Sequence, residues 1–183
     1  MKRPRILLAD DHALMLEDIS AILAPHYEIV GTVADGRALV EEALHLRPDL
    51  IIVDITMPLL SGIDAAVQIK KSLPEMKLLF VTMHTSTAYI EAAFEAGGTG
   101  YVLKSGIRGE LLEAVQSVLN GGRFYVSPGL SIEHLERFQD DPTHAASDSA
   151  EPAGTQDSTD SSLRATPSGK LPISVGKRRF RRG

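Results

Sequence analysis

The chain has 183 residues, 43 % of them apolar and 23 % charged, the make-up of a globular protein with room for one domain and an extension. It has no cysteine, which excludes disulfides, thiolate metal sites and cysteine nucleophiles, and its net charge of -5 argues against a globally basic nucleic-acid binder. No apolar run approaches the ~18–20 residues of a membrane span, and the apolar start at residues 6–9 is too short for a signal peptide, so a cytoplasmic setting is expected.

Taken in chain order, the pattern predicts alternating strands and helices. An apolar run at residues 6–9 reads as a first strand and stops at Asp10 and Asp11. Leu16, Ile19 and Leu23 follow at helical spacing, with Pro25 beyond them. Residues 27–32 are more polar and read as an edge strand. Leu39, Ala43 and Leu46 mark a second helix, and Pro48 closes it. Residues 50–53 form the most apolar strand, which ends in Asp54. Ile63, Ala66, Val67 and Leu73 give a third helix before Pro74. Residues 78–81 are a fourth strand, leading to Thr82, and a helix over about 86–96 ends at Gly97 and Gly98. Residues 101–103 are a fifth strand, leading to Lys104. A fifth helix carries Leu111, Leu112, Val115, Val118 and Leu119 and ends at Gly121 and Gly122. Each proline lies just past a helix end, where its ring cannot continue the hydrogen-bond ladder.

Strict alternation with short connections predicts an α/β fold: a doubly wound, five-stranded parallel sheet with five flanking helices. The polar second strand belongs at an edge, which gives the flavodoxin-like order 2-1-3-4-5. Runs that are apolar on both faces suit strands covered by helices on both sides.

In such a sheet ligands bind beyond the carboxyl ends of the strands. Asp10, Asp11, Asp54, Thr82 and Lys104 all fall there. Three carboxylates held together repel one another, and a hard divalent cation relieves the repulsion. Mg²⁺ with Lys104 suits a bound phosphoryl group, and a carboxylate can itself be the nucleophile that forms an aspartyl phosphate. Asp54 is the candidate nucleophile, Asp10 and Asp11 are candidate cation holders, and the Thr82 hydroxyl can donate to a phosphoryl oxygen. Taken singly, each has a plainer reading, as a helix cap, a turn residue or a solvated charge. His12 reads as a first-turn helix residue rather than a ligand, because Mg²⁺ selects oxygen.

The stretches ILLADDHALMLEDISAIL (6–23), PDLIIVDITMPLLSGIDAA (48–66), LLFVTMHTSTAYIEAAFEAGGTGYVLKSG (78–106) and ELLEAVQSVLNGGRFYVSP (110–128) resemble the receiver domain of bacterial two-component response regulators, on the NarL/FixJ-type branch. The resemblance covers residues 4–128. It implies that Asp54 accepts a phosphoryl group from a phosphohistidine on a sensor histidine kinase or phosphotransfer protein. It implies that Asp11, Asp54 and the carbonyl of Thr56 ligate Mg²⁺, with Asp10 supporting through water. It makes Thr82 and Tyr101 a switch pair and Lys104 the phosphate contact, and it puts His84 beside the phosphate. In the switch so implied, Thr82 moves to the new oxygens, the Tyr101 ring enters the space it leaves, and the Ala-rich fourth helix shifts. A signalling module rather than an enzyme is expected, with self-association to a homodimer left open.

Two other phosphate-handling classes fit less well. A haloacid-dehalogenase-like phosphatase wants a second aspartate two residues after its nucleophile, where this chain has Thr56. A flavodoxin-like flavin binder wants a Gly/Ser/Thr-rich first loop whose amides cradle a phosphate, whereas Asp10 and Asp11 would repel one not screened by metal.

The rest of the chain changes character. Residues 1–138 hold 12 Lys/Arg and 18 Asp/Glu, residues 139–162 hold 6 Asp/Glu and no Lys/Arg, and residues 163–183 hold 7 Lys/Arg and no Asp/Glu. The last 45 residues include 19 Ser, Thr, Pro or Gly, too little apolar surface to offset backbone ordering at roughly 1–2 kcal/mol per residue. The expected organisation is a receiver domain over 1–125, a helical linker over 126–140 and a disordered tail over 141–183, acidic then basic. The branch usually continues into a helix-turn-helix domain and regulates transcription. Here residues 163–167 resemble the start of such a domain and the apolar period is then lost. Residues from about 167 onward are therefore expected to be out-of-frame translation of a former output domain. Sequence-specific DNA binding is not expected. A stand-alone receiver or phosphate sink acting by protein contact is the alternative.

Overall fold

Four apolar runs and one more polar run become the strands of a single sheet in the computed structural model, which describes residues 2–122 and 124–130. The strands are β1 (Arg5–Ala9), β2 (Glu28–Val33), β3 (Leu50–Val53), β4 (Leu78–Thr82) and β5 (Gly100–Leu103), with a short β6 (Tyr125–Val126). Between them run α1 (Ala13–Leu23), α2 (Gly36–Leu46), α3 (Gly62–Ser72), α4 (Thr87–Glu95) and α5 (Ile107–Leu119). The order is β2-β1-β3-β4-β5-β6 and every pairing is parallel. The expected five-strand order is thus present, with β2 at one edge, and β6 adds a strand beyond β5. Val126, at the start of the expected linker, belongs to the sheet, since it pairs with Tyr101, and just past it Ser127 N–H donates to Tyr101 O at 2.9 Å. The rest of the expected helical linker over 126–140, from residue 131 on, and the tail over 141–183 lie outside the described residues.

The alternation of side chains along each strand splits the core in two. Leu7, Ile51, Val53, Phe80 and Tyr101 pack under α2, α3 and α4. Ile6, Leu8, Ile52, Val81 and Val102 pack under α1 and α5. All four residues of β3 are buried, so this central strand is held from both sides.

Local chemistry ends the helices where the prolines and glycines predict. The α2 C-cap, Arg47, has φ 45 and precedes Pro48. Asp35 caps the other end of α2 by accepting from the N–H groups of Arg37 and Ala38, each at 2.9 Å. Among the described residues, no helix is long and apolar enough to cross a membrane.

Candidate functional site

Strand order reverses between β1 and β3, which run side by side with their crossovers on opposite faces, and the crevice at their carboxyl ends receives the first two acidic residues. Asp10 follows β1 and its N–H donates to Val33 O at 3.1 Å, while Asp54 follows β3 and its N–H donates to Ala9 O at 2.8 Å. Both are buried. The loop after Asp54 folds tightly against it. Gly62 N–H donates to Ile55 O at 2.8 Å, and a Cβ on Gly62 would stand 1.9 Å from the Asp54 carbonyl oxygen, so only glycine fits there. The left-handed residue of this loop is Leu59, with φ 65, not the glycine.

Lys104 follows β5 and carries its ammonium across to both carboxylates. Its Nζ lies 2.7 Å from Asp10 Oδ2 and 2.8 Å from Asp54 Oδ2, with all three side chains at most 5 % exposed. The Asp10 Oδ2 contact is an ion pair without aligned hydrogen-bond geometry, so that buried oxygen keeps unused acceptor capacity. Burial alone would lower the Lys104 pKa, but the adjoining Asp10 and Asp54 carboxylates outweigh it and raise the value above that of an ordinary lysine. The other oxygen of Asp54 accepts from Ile55 N–H at 2.7 Å. Asp10 Oδ1 accepts from His12 N–H at 2.9 Å.

Asp11 lies at the mouth of the pocket, its side chain 35 % exposed and 2.8 Å from His12 Nδ1. His12 is the N-cap of α1 rather than a first-turn residue. Ligand atoms of Asp10, Asp11 and His12 lie within 4.8 Å of one another. Thr56 is exposed, and its Oγ1 meets His84 Nε2 at 2.8 Å. Thr82 is fully buried.

Sequence reading missed how thoroughly His84 is held. Its N–H approaches Thr82 Oγ1 at 3.4 Å, its carbonyl accepts from the Tyr101 hydroxyl at 2.9 Å, and its ring stacks on Tyr89 at 3.9 Å and 21°. Tyr101 itself is fully buried. Burial, with the charges of Asp54 and Tyr89, pushes the Tyr101 phenol far above its usual range. The spacing Thr82-Met83-His84 was the available signal, but nothing in it fixes a rotamer.

The Asp10 and Asp54 carboxylates converge on one ammonium at the carboxyl edge of a parallel sheet, and the Asp11 carboxylate lies beside Asp10. Comparison with known proteins points to one family. Residues 6–116 match the response regulator receiver domain. The transcriptional regulatory protein MctR of Rhizobium johnstonii is 34 % identical over 125 residues, covering 67 % of this chain, and DegU of Brevibacillus brevis is 32 % identical over 137 residues, covering 74 %. The chain spans 58 % of the length of each of these curated relatives. A solved two-component response regulator of the LuxR family from Aurantimonas superposes with a TM-score of 0.68 at 33 % identity, over 76 % of this chain and 100 % of that one. With the fold, the acidic pocket and its lysine in the expected places, the chain belongs to the response regulator receiver domain family, on the NarL/FixJ-type branch.

Proposed function

We propose that this chain accepts a phosphoryl group on the Asp54 carboxylate from a phosphohistidine and passes the signal on as a change of conformation. Domains of this family are signalling modules that interact with histidine kinases or phosphotransfer proteins. The observation that carries the reading is the Lys104 ammonium set between the buried carboxylates of Asp10 and Asp54.

The transfer balances simply. An Asp54 oxygen bonds to phosphorus as the phosphorus–nitrogen bond of the donor breaks, and the histidine leaves with that electron pair. Lys104 pairs with the Asp54 carboxylate before the transfer and then faces the oxygens of the new acyl phosphate. In this reading the buried Thr82 hydroxyl donates to one of them.

Asp10, Asp11 and Asp54, with the carbonyl of Thr56, form an all-oxygen set that fits Mg²⁺. The Lys104 ammonium pairs with two of these three carboxylates, Asp10 and Asp54, and Asp10 Oδ2 has acceptor capacity to spare. When bound, Mg²⁺ supplies positive charge against the phosphoryl oxygens. Thr82 and Tyr101 are the switch pair in this reading, and His84 joins them through its N–H and its carbonyl. Both curated relatives are named as transcriptional regulatory proteins, which favours transcription control as the output.

Treating the chain with Mg²⁺ and a small phosphodonor should give a product heavier by one phosphoryl group on intact-mass analysis. Asp54→Asn should give none. Full labelling of Asp54→Asn would place the nucleophile elsewhere and overturn the assignment.

A further inference from the structure

β6 has two residues and lies at a sheet edge, so a few bonds decide where it sits. Tyr125 N–H donates to Thr99 O at 3.3 Å, and Ser127 N–H donates to Tyr101 O at 2.9 Å. One step further along β5 the partner strand has ended, and a side chain replaces it. Leu103 N–H donates to Ser127 Oγ at 2.9 Å. The Ser127 hydroxyl in turn donates to the carboxylate of Glu110, on α5. Ser127 is 2 % exposed, so this is a buried chain of donors ending on a charge. A hydroxyl that donates to a carboxylate becomes a better acceptor, which strengthens its hold on the Leu103 N–H.

The peptide so anchored leads directly into Lys104. Lys104–Gly106 form a single 3-10 turn before α5. Glu110 lies over that turn as well, because a Cβ on Gly106 would stand 2.4 Å from Glu110 Oε1. One carboxylate therefore grips the backbone just before Lys104, through Ser127, and packs on the turn just after it. The Lys104 side chain spans from this point to Asp10 and Asp54 at 2.7 and 2.8 Å, separations that a small shift of its backbone would lengthen.

We infer that Ser127 and Glu110 are positioning residues for Lys104, and through it for phosphoryl acceptance at Asp54; the second half rests on the function proposed above. The plainer alternative is that they only fasten the edge strand. The two differ in what the Lys104 ammonium feels.

The test uses the full chain as wild type, Ser127→Ala, Ser127→Thr and Glu110→Gln. Three readouts are taken: amide exchange at Leu103 against the β3 amides as reference, the nitrogen resonance of the Lys104 ammonium, and the labelling rate at Asp54 with Mg²⁺ and a small phosphodonor. In Ser127→Ala, exchange at Leu103 should rise about tenfold or more while β3 is unchanged, because a local bond is lost without global opening. The ammonium resonance should move. The maximal labelling rate should fall about tenfold with the half-saturating donor concentration unchanged, since misplacement of a charge acts on the reaction more than on donor capture. Ser127→Thr should restore all three, and Glu110→Gln should shift them in the same direction by less. Faster exchange at Leu103 with an unmoved ammonium resonance and unchanged labelling would leave only the edge-strand role and overturn the inference. Unchanged exchange at Leu103 would overturn it too. If Ser127→Ala does not fold, Glu110→Gln decides by the same criteria. A wild-type chain that takes no phosphoryl group would refute the proposed function instead, and the ammonium resonance then decides the positioning of Lys104 alone.

Discussion

Lys104 takes an ammonium out of water, and the two carboxylates beside it make that tolerable. Removing the cation leaves Asp10 and Asp54 buried and facing each other. Lys104→Met should therefore destabilise the fold by about 3–5 kcal/mol, the scale of breaking a buried ion pair by deleting one partner. Urea unfolding measures this, and a loss under about 1 kcal/mol would mean that water reaches the carboxylates. The pH dependence follows from the direction of the shift. The folded-state pKa of Lys104 is raised, because its carboxylate partners outweigh burial, so its stabilisation is complete below the unfolded value of about 10.4 and is lost as pH rises through the folded value. The Tyr101 phenol is raised as well, first by burial, so the protonated folded state is favoured and stability again falls once pH passes about 10. Unfolding free energy should fall beyond about pH 10, and less steeply in Tyr101→Phe. At this scale the sequence carried much of the site, since a residue that follows a strand is placed by the strand: Asp10, Asp54 and Lys104 could be brought together on paper. The bonds of His84 to Thr56 and Tyr101 could not, because they depend on side-chain rotamers and on loops that no period describes.

The helices differ in how their first turns are satisfied. Asp35 accepts two N–H groups of α2, and Ser61 accepts one from α3, whereas Ser86 makes no side-chain bond to α4. α4 has nine residues and buries only Ile90, Ala93 and Phe94. Like α1 and α5, it starts without a side-chain cap, and it carries Tyr89, which stacks on His84. Asp35→Ala should cost about 0.5–2 kcal/mol, the loss of a cap that is made, while Ser86→Ala should stay within about 0.3 kcal/mol. Equal losses in urea unfolding would show that α4 is capped in solution. Element existence was legible in the chain because apolar runs separated by proline or glycine punctuate it with two distinct periods. β2 was placed at an edge by its polarity, and its partly exposed pattern beside the fully buried β3 gives the reason. β6 could not be read the same way. Two residues have no period, and Tyr125 and Val126 lie where they do through bonds to Thr99 and Tyr101, far away in sequence.

Across the described residues the sheet separates both charge and core. Its carboxyl edge gathers Asp10, Asp11 and Asp54. Its amino edge gathers the ends of α1, α2 and α5, whose last carbonyls carry partial negative charge. Cations meet them there: Arg3 donates to Ala24 O, Arg5 Nη1 donates to Leu46 O at 2.7 Å, and Lys77 Nζ donates to Leu119 O at 2.6 Å. An open cavity of about 650 Å³ at this edge is lined by the same three cations together with Lys2, Arg47 and Asp49. The core is divided by the same sheet. Ile69 of α3 is buried on one face and Ile19 of α1 on the other, and they belong to different apolar clusters. Ile69→Val and Ile19→Val should each cost about 0.5–1.5 kcal/mol, the loss of one buried methyl with partial relaxation around it. Because the two sites share no side-chain cluster and a layer of backbone lies between them, the double variant should lose the sum of the two to within about 0.5 kcal/mol. Urea unfolding of the four proteins gives the coupling directly. A coupling above about 1 kcal/mol would mean that the sheet transmits strain from one face to the other, so that α1 and α3 act as parts of one core.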